Sequence, residues 1–571
     1  MSGAAHVFAA TLADELAAGG VRYACISPGS RSAPLAMAFA RHPAIEVLVH
    51  IDERSGSFFA LGLAKRTGTA VVLVCTSGTA AAEFHPAVVE ASYSATPLIV
   101  LTADRPPELI GVGANQAIDQ SHLYGTAVRW FADPGVPEVD PGAGARWRQL
   151  AARAIVEATG PPAGPVHLNL PFREPLTPDV GESPAALGGP STAVTGRRLP
   201  TIEHEPIAGL AQAWNSSARP LILAGEMRFG GRLAPVLRRI LTTTGGLLFA
   251  EPTSQLRLRG MPGLAVRYDL ILATGTGPLP GPDLVIRLGG PPTSKNLNRW
   301  LGSNRVPTIV IDADLPGRDP DRLATTTIPG DPLPVLESVA GLLETRPPPT
   351  WRERWLQVDG RAEKLLDEAL SRSELFEAHA VQALRPLLGS GDALMVGSSM
   401  AIRDIDTFLP ALEDCPMILA NRGASGIDGL VSTGLGAGLS GGRLVMLIGD
   451  LSLYHDMNGL WAIRRHGVRT TLVVLDNDGG GIFSHLPPSL HSDVFEELFG
   501  TPLSLDLADV ARLYGLEFVS VNHPGQLARV LADAIASPAS TLVAVRFSRE
   551  SSLSSHVRVI ESLAMGLGRS R

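Results

Sequence analysis

Two loops of the sequence carry oxygen ligands of the kind that hold a hard metal ion. Asp450 follows one apolar run, and Asn477 and Gly479 follow the next. A helical pattern lies between the two runs, so the order is strand, helix, parallel strand, and both loops open at the carboxyl edge of one sheet. The Asp450 carboxylate, the Asn477 amide oxygen and the Gly479 carbonyl suit an octahedral magnesium ion that takes its other ligands from a diphosphate. The predicted strands and the helix between them are 443–448, 470–475 and 453–465.

A second acid, Glu53, lies where a predicted strand gives way to a helix over about 55–65. A carboxylate in this place has two interpretations. It is either a surface cap that favours the positive end of the helix dipole, or a buried acid whose raised pKa lets it hold a proton against a ligand. The residues alone leave both interpretations open.

The elements that must position these groups alternate along the whole chain. Short apolar runs bounded by Gly, Pro or Ser are separated by helical patterns, which predicts an α/β fold of three consecutive doubly wound parallel-sheet domains. Stretches rich in Pro, at 171–206 and 346–349, read as linkers, so we expect domains over 1–190, 200–345 and 355–571. The remaining predicted strands are 21–27, 46–52, 70–77, 97–104 and 165–170 in the first domain, 220–225, 247–250, 269–275, 283–288 and 307–312 in the second, and 393–398, 417–420 and 541–547 in the third. The second domain looks Rossmann-like but lacks Gly-x-Gly-x-x-Gly, which gives dinucleotide binding little support.

Composition narrows the class of protein. The chain has 571 residues, 45% hydrophobic and 18% charged, with a net charge of −8, which indicates filled globular cores and argues against nucleic acid as a partner. Its cysteines are too scattered for disulfides or a zinc site and are expected to be small buried hydrophobes. The N-terminus reads as an amphipathic helix and no long uncharged apolar run occurs, so we expect a cytoplasmic protein without a membrane span. The cysteines are Cys25, Cys75 and Cys415.

The metal-binding loops resemble the diphosphate–magnesium motif of thiamine-diphosphate enzymes, which usually begins Gly-Asp-Gly and ends Asn-Asn. Here Leu451 replaces the second glycine and Asp476 the first asparagine. The resemblance implies that Asp450, Asn477 and the Gly479 carbonyl bind Mg²⁺, with Mn²⁺ as an alternative. It also implies pyrimidine-binding, central and diphosphate-binding domains, in that order.

Four further segments resemble one branch of these enzymes, the 2-succinyl-5-enolpyruvyl-6-hydroxy-3-cyclohexene-1-carboxylate (SEPHCHC) synthases of menaquinone biosynthesis. This branch tolerates a residue other than glycine after Gly-Asp. The resemblance implies a transferase that decarboxylates 2-oxoglutarate and adds the succinyl carbanion equivalent to isochorismate. It further implies a homodimer or homotetramer with active sites at subunit interfaces. The segments are 27–34, 102–118, 421–429 and 476–483.

The same resemblance assigns the site residues. Glu53 becomes the catalytic acid, hydrogen-bonded to the pyrimidine ring of the cofactor. The residues implied to bind the cofactor are Glu53, Gly78, Ser399, Ile427, Gly449, Asp450, Leu451, Asn477, Gly481 and Ile482. Those implied to bind substrate are Ser30, Arg31, Gln116, Lys295, Ser399, Arg403, Arg422, Ile482, Phe483 and Leu486.

The substrates suit this set, because both are dicarboxylates and arginine forks bind carboxylates bidentately. Taken singly, a loop arginine is more often solvated, and Ile427 would be an ordinary core residue unless it lies under the cofactor rings. Asn296 and Asp119 replace basic residues that relatives often carry. The histidines are expected to be solvated loop residues and not general bases: His85, His122, His455, His466 and His485.

Two other functions compete with the synthase. One is a different thiamine-diphosphate 2-oxoacid decarboxylase or carboligase, whose smaller and less charged acceptors the arginine set disfavours. The other is a non-catalytic α/β binding protein with a vestigial cofactor site, which the intact Glu53, Asp450 and Asn477 disfavour.

Overall fold

The computed structural model describes residues 3–188, 204–275, 279–314 and 317–568. Part of the first predicted linker, residues 189–203, lies outside the described residues, and so do the domain boundaries predicted at 190 and 200. The described chain contains three six-stranded sheets whose paired strands are all parallel. Helices separate most consecutive strands, so the α/β class with three doubly wound parallel sheets is confirmed.

The first sheet has the strand order β2-β1-β3-β4-β6-β5. Its order reverses between β1 and β3, and the loops that follow these two strands therefore flank the crevice where parallel sheets bind ligands. The strands are β1 (Tyr23–Ile26), β2 (Glu46–Val49), β3 (Val71–Cys75), β4 (Leu98–Asp104), β5 (Trp130–Ala132) and β6 (Pro165–Pro171). The helices are α1 (Ala4–Ala18), α2 (Ala33–Arg41), α3 (Glu53–Thr67), α4 (Thr79–Glu83), α5 (His85–Tyr93) and α6 (Ala143–Thr159).

The second sheet has the order β12-β11-β10-β7-β8-β9, with its reversal between β10 and β7. The strands are β7 (Pro220–Ala224), β8 (Leu247–Ala250), β9 (Leu264–Ala265), β10 (Leu284–Leu288), β11 (Thr308–Asp312) and β12 (Ala324–Pro329). The helices are α7 (His204–Ser216), α8 (Ala234–Thr244), α9 (Tyr268–Ala273), α10 (Lys295–Asn304) and α11 (Pro332–Ala340).

The third sheet has the order β14-β13-β15-β16-β18-β17 and reverses between β13 and β15, so Ser399 and Asp450 follow the two strands at the switch point. The strands are β13 (Ala393–Val396), β14 (Met417–Ala420), β15 (Leu444–Gly449), β16 (Thr470–Asp476), β17 (Glu517–Val521) and β18 (Thr541–Arg546). The helices are α12 (Thr350–Leu370), α13 (Glu377–Leu384), α14 (Met400–Phe408), α15 (Leu430–Leu439), α16 (Asp450–His455), α17 (Trp461–His466), α18 (Leu507–Tyr514), α19 (Pro524–Ala536) and α20 (Arg549–Leu567).

The chain divides into two compact units. The first consists of 1–198, 421–440 and 455–468, and the second of 199–420, 441–454 and 469–571. In the first unit, α3 and α15 cross so closely that a Cβ on Gly62 would lie 1.8 Å from the Thr433 carbonyl oxygen. A Cβ on Gly436 would lie 1.9 Å from the carbonyl oxygen of Phe59, so glycine is required on both helices.

Two predictions of secondary structure were wrong. The run 269–275 is not a strand: it forms helix α9, whose Leu270 and Ile271 are buried. Periodicity cannot separate a short buried helix from a buried strand. The helix predicted over 453–465 is two short helices, α16 and α17, separated by a 3₁₀ turn over Met457–Leu460.

Four strands were missed, and all four lie at the edges of their sheets: β5, β9, β12 and β17. Edge strands have one exposed side and need no continuous apolar run, so their sequences lack the signal that marks central strands. Cys25 and Cys75 are buried as predicted, whereas Cys415 is half-buried and its thiol donates to the Gln255 carbonyl. Among the described residues, no helix is long and apolar enough to cross a membrane.

Candidate cofactor and substrate site

The two loops predicted to bind metal lie side by side. Strands β15 and β16 are parallel neighbours, with Gly449 opposite Leu475, so both loops leave the same edge of the third sheet. Asp450 is 5% exposed. Its carboxylate accepts hydrogen bonds from the amides of Gly479 and Leu451, at 2.8 and 2.7 Å. The side chain of Leu451 therefore has no part in holding Asp450, which explains how the motif accepts a residue other than glycine.

The polar atoms of these loops fit a magnesium ion with a diphosphate. The Asn477 Oδ1 is buried and has no hydrogen-bond partner among the described residues, an arrangement that costs free energy unless a cation or donor takes the lone pair. Burial, with the charges of Asp476 and Asp478, raises the pKa of Asp450 to about 6. A divalent cation would offset both the cost of the unpaired Asn477 oxygen and the cost of burying the charge of Asp450.

Glycine makes room for this arrangement. Gly479 has a φ of +137°, and a Cβ there would lie 2.0 Å from the Gly500 carbonyl oxygen. A Cβ on Gly481 would lie 2.6 Å from Asn477 Nδ2. The backbone can therefore approach a ligand at positions where a side chain would block it.

Glu53 does not cap helix α3, because the neighbouring Asp52 does. Asp52 is the N-cap of α3, where its carboxylate accepts from the Ser55 amide at 3.1 Å, and it also accepts from Asn458 Nδ2. Glu53 is half-buried in the first turn. Desolvation raises its pKa, and the charges of Asp52 and Glu83 add to the effect. The cap interpretation therefore belongs to Asp52, and Glu53 suits an acid that holds a proton.

Arg31 and Gln116 lie at the carboxyl edge of the first sheet. Arg31 is 8% exposed and donates to the Phe172 carbonyl at 2.9 Å, while its Nε is buried without a partner among the described residues. Gln116, at a φ of +57°, donates to the Ser77 carbonyl, and Ser30 is exposed. A buried guanidinium with an unused donor suits an anionic ligand.

Two residues at this edge were missed by sequence reasoning. The guanidinium of Arg105 donates to Ser77 Oγ, and desolvation followed by the charge of Arg31 lowers the pKa of Arg105. Its place directly after β4, within the 102–118 segment, is the signal that could have found it. Gln120 accepts from the Gly78 amide at 2.9 Å, so this amide is not free for the cofactor and other atoms of the turn would make the predicted contact.

Arg403 lies on α14, behind Ser399, which has a φ of +67°. The guanidinium of Arg403 donates back to the Ser399 carbonyl. Two fully buried arginines hold the far end of the helix: Arg257 donates to the Asp406 carboxylate at 2.7 Å, and Arg267 to the Thr407 carbonyl at 2.9 Å.

Arg422 and Ile427 belong to the loop 421–429, which is anchored within the first unit. The Glu90 carboxylate accepts from the amides of Gly423 and Ala424, at 3.0 and 2.7 Å. Lys65 Nζ bonds both Glu90 and Asn421. Ile427 is half-buried, so it is not an ordinary core residue.

The apolar pocket residues lie on a 3₁₀ turn, Gly481–His485, and just beyond it. Ile482, Phe483 and Leu486 are half-buried, and the Phe483 ring lies 5.5 Å from Phe499. Surfaces of this kind can exclude water from a bound ligand.

Lys295 is exposed at the start of α10, directly after the N-cap Ser294. The next residue, Asn296, donates to the Asp269 carboxylate at 3.1 Å. Asp119 accepts from the Ser121 amide and is exposed, as a turn residue is.

The histidines divide into two groups. His85, His122 and His485 are exposed as predicted. The prediction was wrong for the other two, since His455 contacts Arg54 and His466 contacts the Val49 carbonyl, and both are half-buried.

Comparison with known proteins matches both ends of the chain to thiamine-dependent enzymes. Residues 6–123 match the family model "Thiamine pyrophosphate enzyme, N-terminal TPP binding domain", and residues 416–545 match the corresponding C-terminal TPP binding domain. The chain is 42% identical over 565 residues to the SEPHCHC synthase of Geobacillus kaustophilus, with 97% of each chain covered. It is 41% identical to that of Haloarcula marismortui and 40% identical to that of Roseiflexus castenholzii, with 95% of each chain covered in both cases.

Proposed function

Because the chain belongs to the SEPHCHC synthase family of thiamine-diphosphate-dependent transferases, we propose that it converts 2-oxoglutarate and isochorismate into SEPHCHC and carbon dioxide in menaquinone biosynthesis. The observation that carries the proposal is the similarity over 97% of the chain. It is supported by the oxygen ligands of the third sheet and the buried guanidinium of the first.

The residues of the third sheet hold the cofactor in this proposal. Asp450, Asn477 and the Gly479 carbonyl would hold Mg²⁺, for which Mn²⁺ could substitute, together with the diphosphate of the cofactor. When bound, thiamine diphosphate supplies the electron sink that a 2-oxoacid needs to lose carbon dioxide. Glu53 would hold the pyrimidine ring through its carboxyl group, whose pKa desolvation raises.

The basic residues hold the substrates. Arg31, Arg403 and Arg422 bind the carboxylates of the two dicarboxylic acids, and Arg105 joins them at the edge of the first sheet. Neutral donors and the apolar turn complete the pocket, which orients the substrates and excludes water. The neutral donors are Ser30, Gln116 and Ser399, and the apolar residues are Ile482, Phe483 and Leu486. In addition, Lys295 adds a charge on the isochorismate side, and Ile427 supports the cofactor rings.

We further propose a cytoplasmic enzyme with pyrimidine-binding, central and diphosphate-binding domains over 1–190, 200–345 and 355–571. In this proposal it assembles as a homodimer at least, or as a homotetramer, and its active sites lie at subunit interfaces. Sedimentation of the active enzyme tests the assembly, and a stable active monomer would refute it.

Product analysis tests the function. The purified chain with thiamine diphosphate, Mg²⁺, 2-oxoglutarate and isochorismate should give a product with the mass of SEPHCHC. Carbon dioxide release should depend on 2-oxoglutarate and isochorismate together. Release from pyruvate at an equal or higher rate would instead identify a different decarboxylase of this superfamily.

A further inference from the structure

Two buried carboxylates and a half-buried histidine meet in the second unit, outside the residues assigned above. Glu377 on α13, Asp404 on α14 and His556 on α20 place one ligand atom each within 4.8 Å of one another. Glu377 and Asp404 are each 1% exposed. His556 Nε2 lies 2.9 Å from Asp404 Oδ1, and Ser552 Oγ lies 2.7 Å from Glu377 Oε2.

The partners of His556 fix its protonation. Nδ1 lies 2.9 Å from the Ser552 carbonyl oxygen, which can only accept a hydrogen bond. Nε2 faces the Asp404 carboxylate, which also accepts. With Asp404 ionised, both ring nitrogens donate, which makes the ring an imidazolium cation. Burial lowers the pKa of His556, but the hydrogen bond and charge of Asp404 outweigh it and raise the pKa to about 9.

Asp404 directly follows Arg403 on α14. Successive residues of a helix point about 100° apart, so holding Asp404 also sets the direction in which the Arg403 side chain leaves the helix. The bond to His556 holds this middle part of the helix, whereas Arg257 and Arg267 hold its far end.

His556 also contacts the turn that carries the apolar pocket residues. Its ring lies 5.2 Å from the ring of His485, at an interplanar angle of 86°. His485 ends the turn that begins at Gly481 and includes Ile482 and Phe483. On its other sides the imidazolium packs on Phe376 and Phe408, at 5.0 and 5.6 Å between ring centroids.

We propose that His556 is a positioning residue of the substrate pocket: as an imidazolium bonded to Asp404, it fixes the direction of Arg403 and supports the turn that carries Ile482 and Phe483. This inference rests on the proposed function, because it assigns Arg403 to a substrate carboxylate. His556 itself does not touch the reacting atoms in this account.

The groups that face the imidazolium set its pH dependence. They are Asp404 on α14, Glu377 on α13 and His485 on the turn, with Arg403 beside His485. Desolvation, followed by the charge of Asp404, raises the pKa of Glu377 to about 7. The folded-state pKa of His556 lies above the ordinary value for histidine, so the cation persists at neutral pH and is lost as pH rises through about 9.

Steady-state kinetics of the cofactor-loaded enzyme test the role of His556. In His556→Gln we expect the KM for 2-oxoglutarate to rise about tenfold while kcat changes less than about threefold, since binding and not chemistry is impaired. The wild-type KM should rise above pH 9, and this rise should be absent from the variant. His523→Gln, at an exposed position before α19, is the matched control and should leave both constants unchanged.

A double-mutant cycle separates positioning from general destabilisation. Asp404→Asn should resemble His556→Gln, and the double variant should be no worse than the more severe single variant, because the two residues act as one pair. Additive effects on kcat with an unchanged KM would overturn the proposal. The proposal would also be overturned if the wild type kept one equivalent of transition metal through dialysis and Glu377→Gln lost it. A metal ion would then occupy the place of the proton between His556 and Asp404.

Nuclear magnetic resonance decides the protonation even if the variants fold poorly. In wild-type enzyme labelled with ¹⁵N-histidine, both nitrogens of His556 should carry protons at neutral pH, and a neutral ring would overturn the proposal. A wild-type enzyme that makes no SEPHCHC would refute the proposed function instead. The affinity for glutarate, measured by calorimetry and expected to be about tenfold weaker in His556→Gln, would then decide the role of His556.

Discussion

At the scale of single residues, two adjacent carboxylates show how position separates chemical roles. Asp52 caps α3 and accepts two hydrogen bonds, so its charge is already satisfied. Glu53, one position later, is half-buried, and desolvation raises its pKa. A raised pKa favours the protonated carboxyl group, which can donate to a ring nitrogen, whereas an ionised surface glutamate cannot.

We expect Glu53→Gln to retain cofactor binding and to lose turnover by about a hundredfold or more, because the amide can fill the space but cannot exchange a proton. Calorimetric titration with thiamine diphosphate and Mg²⁺ measures binding, and SEPHCHC formation measures turnover. Glu83→Gln, an exposed neighbour that contributes only its charge, should stay within about twofold of the wild type. Full turnover in the Glu53 variant would remove this residue from its role.

Asp450 should make the cofactor-free protein less stable as pH rises. Its folded-state pKa of about 6 lies above the ordinary aspartate value of 3.8, so the folded state holds a proton that the unfolded chain has already lost. The free energy of unfolding should therefore fall by about 3 kcal/mol between pH 4 and pH 6 on account of this group, and then level off.

Asp450→Asn should lack this slope, and denaturant unfolding of both proteins from pH 4 to pH 7.5 measures the difference. The variant should also lose the stabilisation by thiamine diphosphate and Mg²⁺, which for the wild type amounts to about 2.7 kcal/mol at a ligand concentration one hundred times Kd. Asp493→Asn, at an exposed position whose charge is not among those that raise the pKa of Asp450, serves as the control. Equal slopes in wild type and Asp450→Asn would contradict the assignment of the buried charge.

At the scale of elements, the close crossing of α3 and α15 links two parts of the candidate site within the first unit. α3 begins at Glu53, and α15 follows the loop that carries Arg422 and Ile427. The crossing depends on Gly62 and Gly436, whose absent side chains let each helix touch the backbone of the other. The spacing of these two helices therefore sets where their first residues lie.

Gly436→Ala should separate these helices, because the new Cβ would overlap the Phe59 carbonyl oxygen. We expect a loss of about 1–3 kcal/mol in the free energy of unfolding, together with reduced turnover. Gly360→Ala is the matched control: it lies within α12, where a Cβ would meet nothing within 4 Å, and should gain up to about 1 kcal/mol. Equal stability of the two variants would show that the crossing tolerates a side chain.

The elements also show what the sequence could predict. Fourteen strands of the three sheets were predicted from their apolar runs, since a strand covered on both faces has few polar positions. The edge strands β5, β9, β12 and β17 carry no such run, and α9 has an apolar run that fits helix and strand equally.

Some features of the candidate site could likewise be predicted from the sequence, and others could not. The loops after β15 and β16 follow from topology, whereas the support of Arg403 by Asp404 and His556 joins positions 152 apart in sequence, and no local pattern reveals it. The identity of the cap at Asp52 also required side-chain geometry, because both acids of the Asp52-Glu53 pair have the right type.

At the scale of the whole molecule, the three parallel sheets have similar architecture but differ in the functional segments that they hold. The first and third sheets bear the segments that match thiamine-binding domains, and the second bears no residue of the metal-binding loops. If the active sites lie at subunit interfaces, as proposed, each of them takes Glu53 from one chain and the metal-binding loops from another.

Mixing two inactive variants tests this arrangement. Glu53→Gln and Asp450→Asn should each abolish activity alone. Co-expressed chains should pair at random and restore about a quarter of the wild-type activity, since half of the dimers are mixed and one of their two sites is intact. Sites formed within single chains would give no restoration.

The hydrogen bonds by which Arg257 and Arg267 hold α14 have a practical consequence for changing the substrate acids that this enzyme accepts. Laboratory evolution toward new acceptors usually randomises the residues that line a cavity. Here the helix that aims Arg403 is clamped from the central segment of the chain, so libraries built only around the cavity would leave its orientation untouched. Libraries meant to change that orientation must therefore include these two distant arginines and the residues around them.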